Sequence, residues 1–145
     1  MFQPSRTEAR QFLIDAWRRH RAREVVSPLE AIAADVIAMH PEYHALLEQP
    51  AEAAALEARD YSPDDGAVNP FLHLHLHLAV IEQVSIDQPA GIAAAYARLL
   101  ARLDAPLAAQ HAIIDCLAET MWRAQRDQGP PDGEAYLACV ERCTR

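Results

Sequence analysis

The segment that most constrains the fold is residues 69–87, NPFLHLHLHLAVIEQVSID, in which three histidines alternate with leucines inside an apolar run. Alternation with a period of two is typical of a half-buried strand. The segment also begins with Asn69-Pro70, a pair that suits the cap and the first residue of a helix, and it continues as AVIEQVSI. We therefore predict a helix here, with a strand as the alternative.

Helical spacing separates the three histidines of this segment. At about 100 degrees per residue, His73 and His77 lie one turn apart within an apolar arc, whereas His75 points nearly the opposite way. Apolar neighbours satisfy neither nitrogen of a buried imidazole, so His73 and His77 need a metal ion, a carboxylate or another polar partner. Imidazole is the commonest metal ligand in proteins, and two rings at this spacing can bind one ion.

Two other segments bring polar pairs at helical spacing. His40 and His44 continue an apolar stripe that starts at Leu29, and His111 is followed one turn later by Asp115 and two turns later by Glu119 on a long apolar segment. Glu119 would serve either as a ligand or as the acceptor that fixes a histidine tautomer. A histidine-rich set with a carboxylate suits Fe, Zn, Mn or Ni without ranking them. The predicted metal ligands are His40, His44, His73, His77, His111 and Glu119.

Three classes of function remain open at this point. The first is binding of one or two transition-metal ions in the core, and the second is a metal-free interaction module whose histidines form a buried polar network. The third is an enzyme that uses histidine for acid–base catalysis without a metal. The chain contains neither H-E-x-x-H nor Glu-x-x-His, so the patterns of zincin proteases and ferritin-like di-iron bundles are absent. No nucleophile or substrate pocket follows from the sequence.

The rest of the chain favours helices. Alanine and leucine dominate, there are only 4 glycines, and β-branched residues do not gather in runs. Capping boxes begin at Ser5 and at Ser27, the second with Pro28 at the first helical position. A chain of 145 residues fits one compact domain. We predict an all-α protein, a single-domain helix bundle of about five to seven helices over residues 1–145.

Prolines and glycines divide this predicted bundle into its helices. Pro41 lacks a backbone donor and disfavours helix at His40, so we expect the chain to kink or restart there. A short helix is expected after Pro50, followed by a loop at residues 61–68. Further helix boundaries are expected at residues 88–91, at residues 129–131 and at Asp132, which caps the last helix.

Charge and cysteine content limit the partners and the compartment. The formal net charge of -8 comes from acids scattered along helical segments, which is typical of a solvated surface and disfavours nucleic acid as a partner. The sequence shows no signal peptide and no apolar run near the roughly 20 residues of a membrane span. Three cysteines without a C-x-x-C pair favour reduced thiols. We expect a cytoplasmic protein that binds a metal ion, and a homo-oligomer is compatible with the sequence.

A resemblance covers essentially the whole chain and is carried by four stretches: FQPSRTEARQFLIDAWRRHR, PLEAIAADVIAMHPEYHALLE, NPFLHLHLHLAVIEQVSIDQP and AAQHAIIDCLAETMWRAQRDQGPPDGEAYL. Together they resemble the bacterial domain of unknown function 1841 family. The resemblance implies a small cytoplasmic helical protein with no assigned activity. It implies that serine can replace His75 and that Asp115 is not a fixed carboxylate, which leaves Glu119 as the better acidic candidate. It also implies matching histidines at His40, His44, His73, His77 and His111.

Overall fold

The computed structural model describes residues 6–49 and 70–145, which form seven α-helices and one 3-10 helix, with no strand among them. In chain order these are α1 (Arg6–Arg21), α2 (Pro28–Ala38), the 3-10 helix (Pro41–Tyr43), α3 (His44–Glu48), α4 (Pro70–Ile86), α5 (Ile92–Leu103), α6 (Pro106–Arg126) and α7 (Gly133–Cys143). The predicted all-α helix bundle is confirmed for these residues. The alternating histidines lie on α4, so the prediction of a helix there is confirmed against a strand.

Some expectations fall outside the residues that the structure describes. They are the caps at Ser5 and Asn69, the short helix after Pro50 and the loop at residues 61–68. Among the described helices, none is both long and apolar enough to cross a membrane. The chain divides into two compact units, Met1–His75 and Leu76–Arg145, with the boundary inside α4. The expectation of a single domain stays a prediction.

In the first unit, α1 packs against α2 and α3. The capping box at the start of α2 is present as predicted: the Ser27 hydroxyl accepts from the Glu30 amide at 3.2 Å, and the Glu30 carboxylate accepts from the Ser27 amide at 3.0 Å. The same carboxylate accepts from the Arg19 guanidinium at 2.6 Å, which ties α2 to α1. Beneath these polar contacts lie the buried side chains of the unit, among them Leu13, Ala16, Val36, Ile37 and Leu47.

In the second unit, α5, α6 and α7 pack on one another. Gly91, directly before α5, has a φ of 102°, a left-handed conformation that favours glycine, and a Cβ there would lie 3.3 Å from Cδ2 of Leu137. The buried Tyr136 hydroxyl donates to Oε1 of Gln83 at 2.6 Å, which links α7 to α4. The core of this unit includes Val80, Ile92, Leu99, Ile113 and Val140.

The cysteines correct one expectation from the sequence. Cys116 of α6 and Cys139 of α7 form a disulfide with a Cα–Cα distance of 5.8 Å, whereas reduced thiols were expected. The two residues are 23 positions apart in sequence, and only the packing of α7 on α6 brings them together. Among the described residues, Cys143 alone is a free cysteine.

Candidate metal centre

His40 lies at the break that Pro41 imposes after α2, and its side chain is only 1% exposed. Its Nδ1 lies 2.7 Å from the carbonyl oxygen of Val36. Because a carbonyl oxygen can only accept, His40 donates through Nδ1, and Nε2 of the neutral ring carries the lone pair. This Nε2 lies 3.1 Å from Nε2 of His73 on α4. The first unit therefore contains a histidine pair in which one ring has a defined orientation and tautomer.

Tyr43 forms an aromatic wall beside this pair. Its ring stacks almost parallel to that of His40 at a centroid distance of 5.5 Å and meets the ring of His73 edge-on at 6.1 Å. Burial raises the pKa of the Tyr43 hydroxyl, and the nearby negative charge of Glu42 raises that pKa further. The phenol therefore stays protonated and uncharged at neutral pH.

A second histidine pair lies in the other unit. His77 of α4 is fully buried, and its ring meets that of His111 of α6 edge-on at a centroid distance of 5.3 Å. Nε2 of His77 lies 2.5 Å from Oε1 of Gln110, the residue that precedes His111. Helix α4 thus contributes one histidine to each pair, because His73 and His77 are one turn apart on it.

Each pair offers ring nitrogens that could bind a metal ion, His40 and His73 in the first unit and His77 and His111 in the second. Zinc bound tetrahedrally by imidazoles at 2.0–2.1 Å separates the nitrogens by roughly 3.3 Å. The 3.1 Å between the Nε2 atoms of His40 and His73 is close to that separation. The His40–His73 pair therefore has the spacing and the chemistry needed to bind one ion.

The remaining histidines and the acidic candidate make other contacts. His44 directs Nε2 to the Ile37 carbonyl at 2.8 Å, and its ring packs on that of Trp17 at a centroid distance of 4.4 Å. Glu119 is exposed and accepts from Arg123 at 2.7 Å. His75 directs Nε2 to the Ala9 carbonyl at 3.0 Å. Of the six predicted ligands, the structure thus pairs His40 with His73 and His77 with His111, and it places His44 and Glu119 elsewhere.

Three groups at this site were not anticipated from the sequence: Gln110, Tyr43 and the carbonyl of Val36. The carbonyl had a signal, because the regular i to i+4 bonds end in the last turn of a helix, and the Val36 carbonyl in the last turn of α2 accepts from the Met39 amide three residues on. Gln110 and Tyr43 have no signal at helical spacing. Gln110 meets its histidine across a tertiary contact, and Tyr43 meets its histidine across the break after α2.

Comparison with known families matches residues 5–142 to the family described as Domain of unknown function (DUF1841). The chain belongs to this family. The resemblance seen in the sequence is thereby confirmed, and the DUF1841 match includes all four histidines of the two pairs. The family description assigns no activity, and no match is found among curated proteins or among solved structures. The chemistry of this DUF1841 chain must therefore be worked out from its own residues.

Proposed function

We propose that the protein binds one transition-metal ion through His40, His73, His77 and His111. The observation that carries this proposal is that α4 contributes, one helical turn apart, a histidine to each of two pairs, His40 with His73 and His77 with His111. A core histidine with a structural role needs only a hydrogen-bond partner for each nitrogen, and a carbonyl or an amide can supply it. Two histidine pairs that share successive turns of one helix have no such reason to occur.

The orientation of His40 supports the proposal independently. A histidine that binds a metal almost always donates its other ring N–H to a carbonyl, a carboxylate or water, which fixes its tautomer. His40 donates Nδ1–H to the Val36 carbonyl at 2.7 Å and turns Nε2 toward His73. The ring is thus already in the tautomer that a metal ion would require.

The ligand chemistry narrows the choice of ion. Imidazole suits Zn, Fe and Ni, whereas Mn prefers oxygen ligands. Because Glu119 pairs with Arg123 on the surface, it does not bring an oxygen to the four histidines. We therefore place Zn, Fe and Ni ahead of Mn. One ion fits better than two, since two ions about 3.5–4 Å apart would each need ligands from the same four rings.

Metal content and a matched pair of variants test this function. Protein expressed without an affinity tag should contain about one equivalent of a transition metal, and zinc added to the metal-free protein should raise its melting temperature. At free zinc 100-fold above Kd the stabilisation is about 2.7 kcal/mol. His73→Gln should abolish this stabilisation. His75→Gln, the same substitution two residues away on α4, should retain it.

Variants in the two pairs test whether one ion is shared. With a single ion, His40→Gln and His111→Gln should each lower the zinc affinity of the same site. With one ion in each pair, either variant would lose half of the bound metal and keep the other half. Less than about a tenth of an equivalent of metal, together with no zinc-induced stabilisation, contradicts metal binding altogether.

The alternative function is a metal-free interaction module, and one observation favours it. The 3.1 Å between the Nε2 atoms of His40 and His73 is also the length of an N–H···N hydrogen bond, so a proton could hold the pair. In that case zinc leaves the stability of the wild-type protein unchanged. His73→Gln then keeps its fold, because the glutamine amide can donate to Nε2 of His40.

A further inference from the structure

Gln110 makes a close polar contact at the second histidine pair. Its Oε1 lies 2.5 Å from Nε2 of His77, whose side chain is fully buried. Both residues belong to the same unit, and they connect α6 to α4. Nδ1 of His77, on the other side of the ring, is buried as well. The two nitrogens of this ring therefore have different surroundings, and the amide oxygen of Gln110 is the neighbour of Nε2.

The chemistry of the contact selects a tautomer. An amide oxygen can only accept, so with Oε1 of Gln110 as its neighbour Nε2 of His77 carries the proton, and Nδ1 of the neutral ring carries the lone pair. His40 has the opposite arrangement, because its Nδ1 donates to the Val36 carbonyl and its Nε2 carries the lone pair. The two buried histidines thus present different nitrogens.

We infer that Gln110 is a positioning residue that holds His77 in the Nε2–H tautomer, in which Nδ1 carries the lone pair that a metal ion would bind. The metal-facing part of this inference rests on the proposed function, whereas the tautomer assignment holds for the metal-free protein. Gln110 acts through His77 and does not itself bind the ion. Its role corresponds to that of the Val36 carbonyl at His40, with a side chain in place of the backbone.

The tautomer can be measured directly in metal-free protein. Long-range 1H–15N correlations of histidine-labelled protein, recorded at a pH where the imidazoles are neutral, distinguish Nδ1–H from Nε2–H rings. We expect His77 of the wild type to be Nε2–H. Gln110→Glu keeps an accepting oxygen and should keep this tautomer, whereas Gln110→Ala should lose the single tautomer. Gln83→Ala is the matched control, since it removes another glutamine of the same unit, whose oxygen accepts from Tyr136.

Zinc titration of the same proteins tests the metal-facing part. Loss of the hydrogen bond that orients a metal-binding histidine typically lowers affinity 10–100-fold, which we expect for Gln110→Ala but not for Gln83→Ala. An Nδ1–H ring in the wild type, or an unchanged tautomer in Gln110→Ala, overturns the inference even where zinc binds tightly. An Nε2–H ring in a wild-type protein that binds no zinc supports the tautomer assignment and contradicts the proposed metal centre.

Discussion

Reduction of the Cys116–Cys139 disulfide should destabilise the unit that carries α6 and α7. The cross-link spans a sequence separation of 23 residues. The chain-entropy relation for a loop of that length gives about 3.4 kcal/mol at 25 °C, because the reduced unfolded chain regains the conformations that the disulfide forbids. Reduction changes no side-chain volume beyond the thiol hydrogens, so little of the loss comes from packing. The destabilisation is large for a protein with a total stability of about 5–15 kcal/mol.

Urea unfolding with and without dithiothreitol measures this loss. With an m-value of about 1–3 kcal/mol/M, the unfolding midpoint should fall by roughly 1–3 M on reduction. The Cys143→Ala variant should show the same fall, because Cys143 lies outside the disulfide. Coincident midpoints in the oxidised and reduced protein would refute the reasoning. Three reactive thiols in unfolded, unreduced protein would contradict the disulfide itself.

Two further predictions concern the left-handed backbone at Gly91 and the capping carboxylate of Glu30. Gly91→Ala should cost about 1–2 kcal/mol, because φ at Gly91 is 102°, whereas Gly133→Ala, where an added Cβ meets nothing within 4 Å, should be near neutral in the same urea assay. The backbone amide of Ser27 holds the pKa of Glu30 below its ordinary value of about 4.3. The stability contributed by Glu30 is therefore fully present above that value and is lost as the pH falls through the lower folded-state pKa. Glu30→Gln should flatten the acid loss of stability between about pH 5 and pH 3, whereas Glu134→Gln should not, and parallel losses in all three proteins would contradict the assignment.

The candidate site was predictable where one continuous helix determines it. His73 and His77 share a face of α4 because four residues nearly complete a turn, and the same geometry turns His75 away. The length of the segment predicted a helix despite its alternation with a period of two. A strand would have placed all three histidines on one face. The choice of helix over strand therefore also reduced three candidate ligands to two.

Spacing is informative only within an unbroken helix. His40 and His44 are four apart, but Pro41 ends the helix between them, so His40 follows α2 while His44 begins α3. Their side chains then need not share a face, and His44 packs on Trp17 instead. His111 and Glu119 share a helix, but eight residues of helix rise about 12 Å, too far for both to bind the same ion.

Contacts between helices set the rest of the site, and no periodicity encodes them. Gln110 meets His77 because α6 packs with its glutamine side toward α4, and Cys116 meets Cys139 because α7 packs on α6. A buried imidazole needs a hydrogen-bond partner for each ring nitrogen, and the helices packed around the ring must supply these partners. The sequence therefore indicates that His77 needs a partner, and the packing of α6 decides that this partner is an amide oxygen. That choice determines which nitrogen of the His77 ring carries the lone pair.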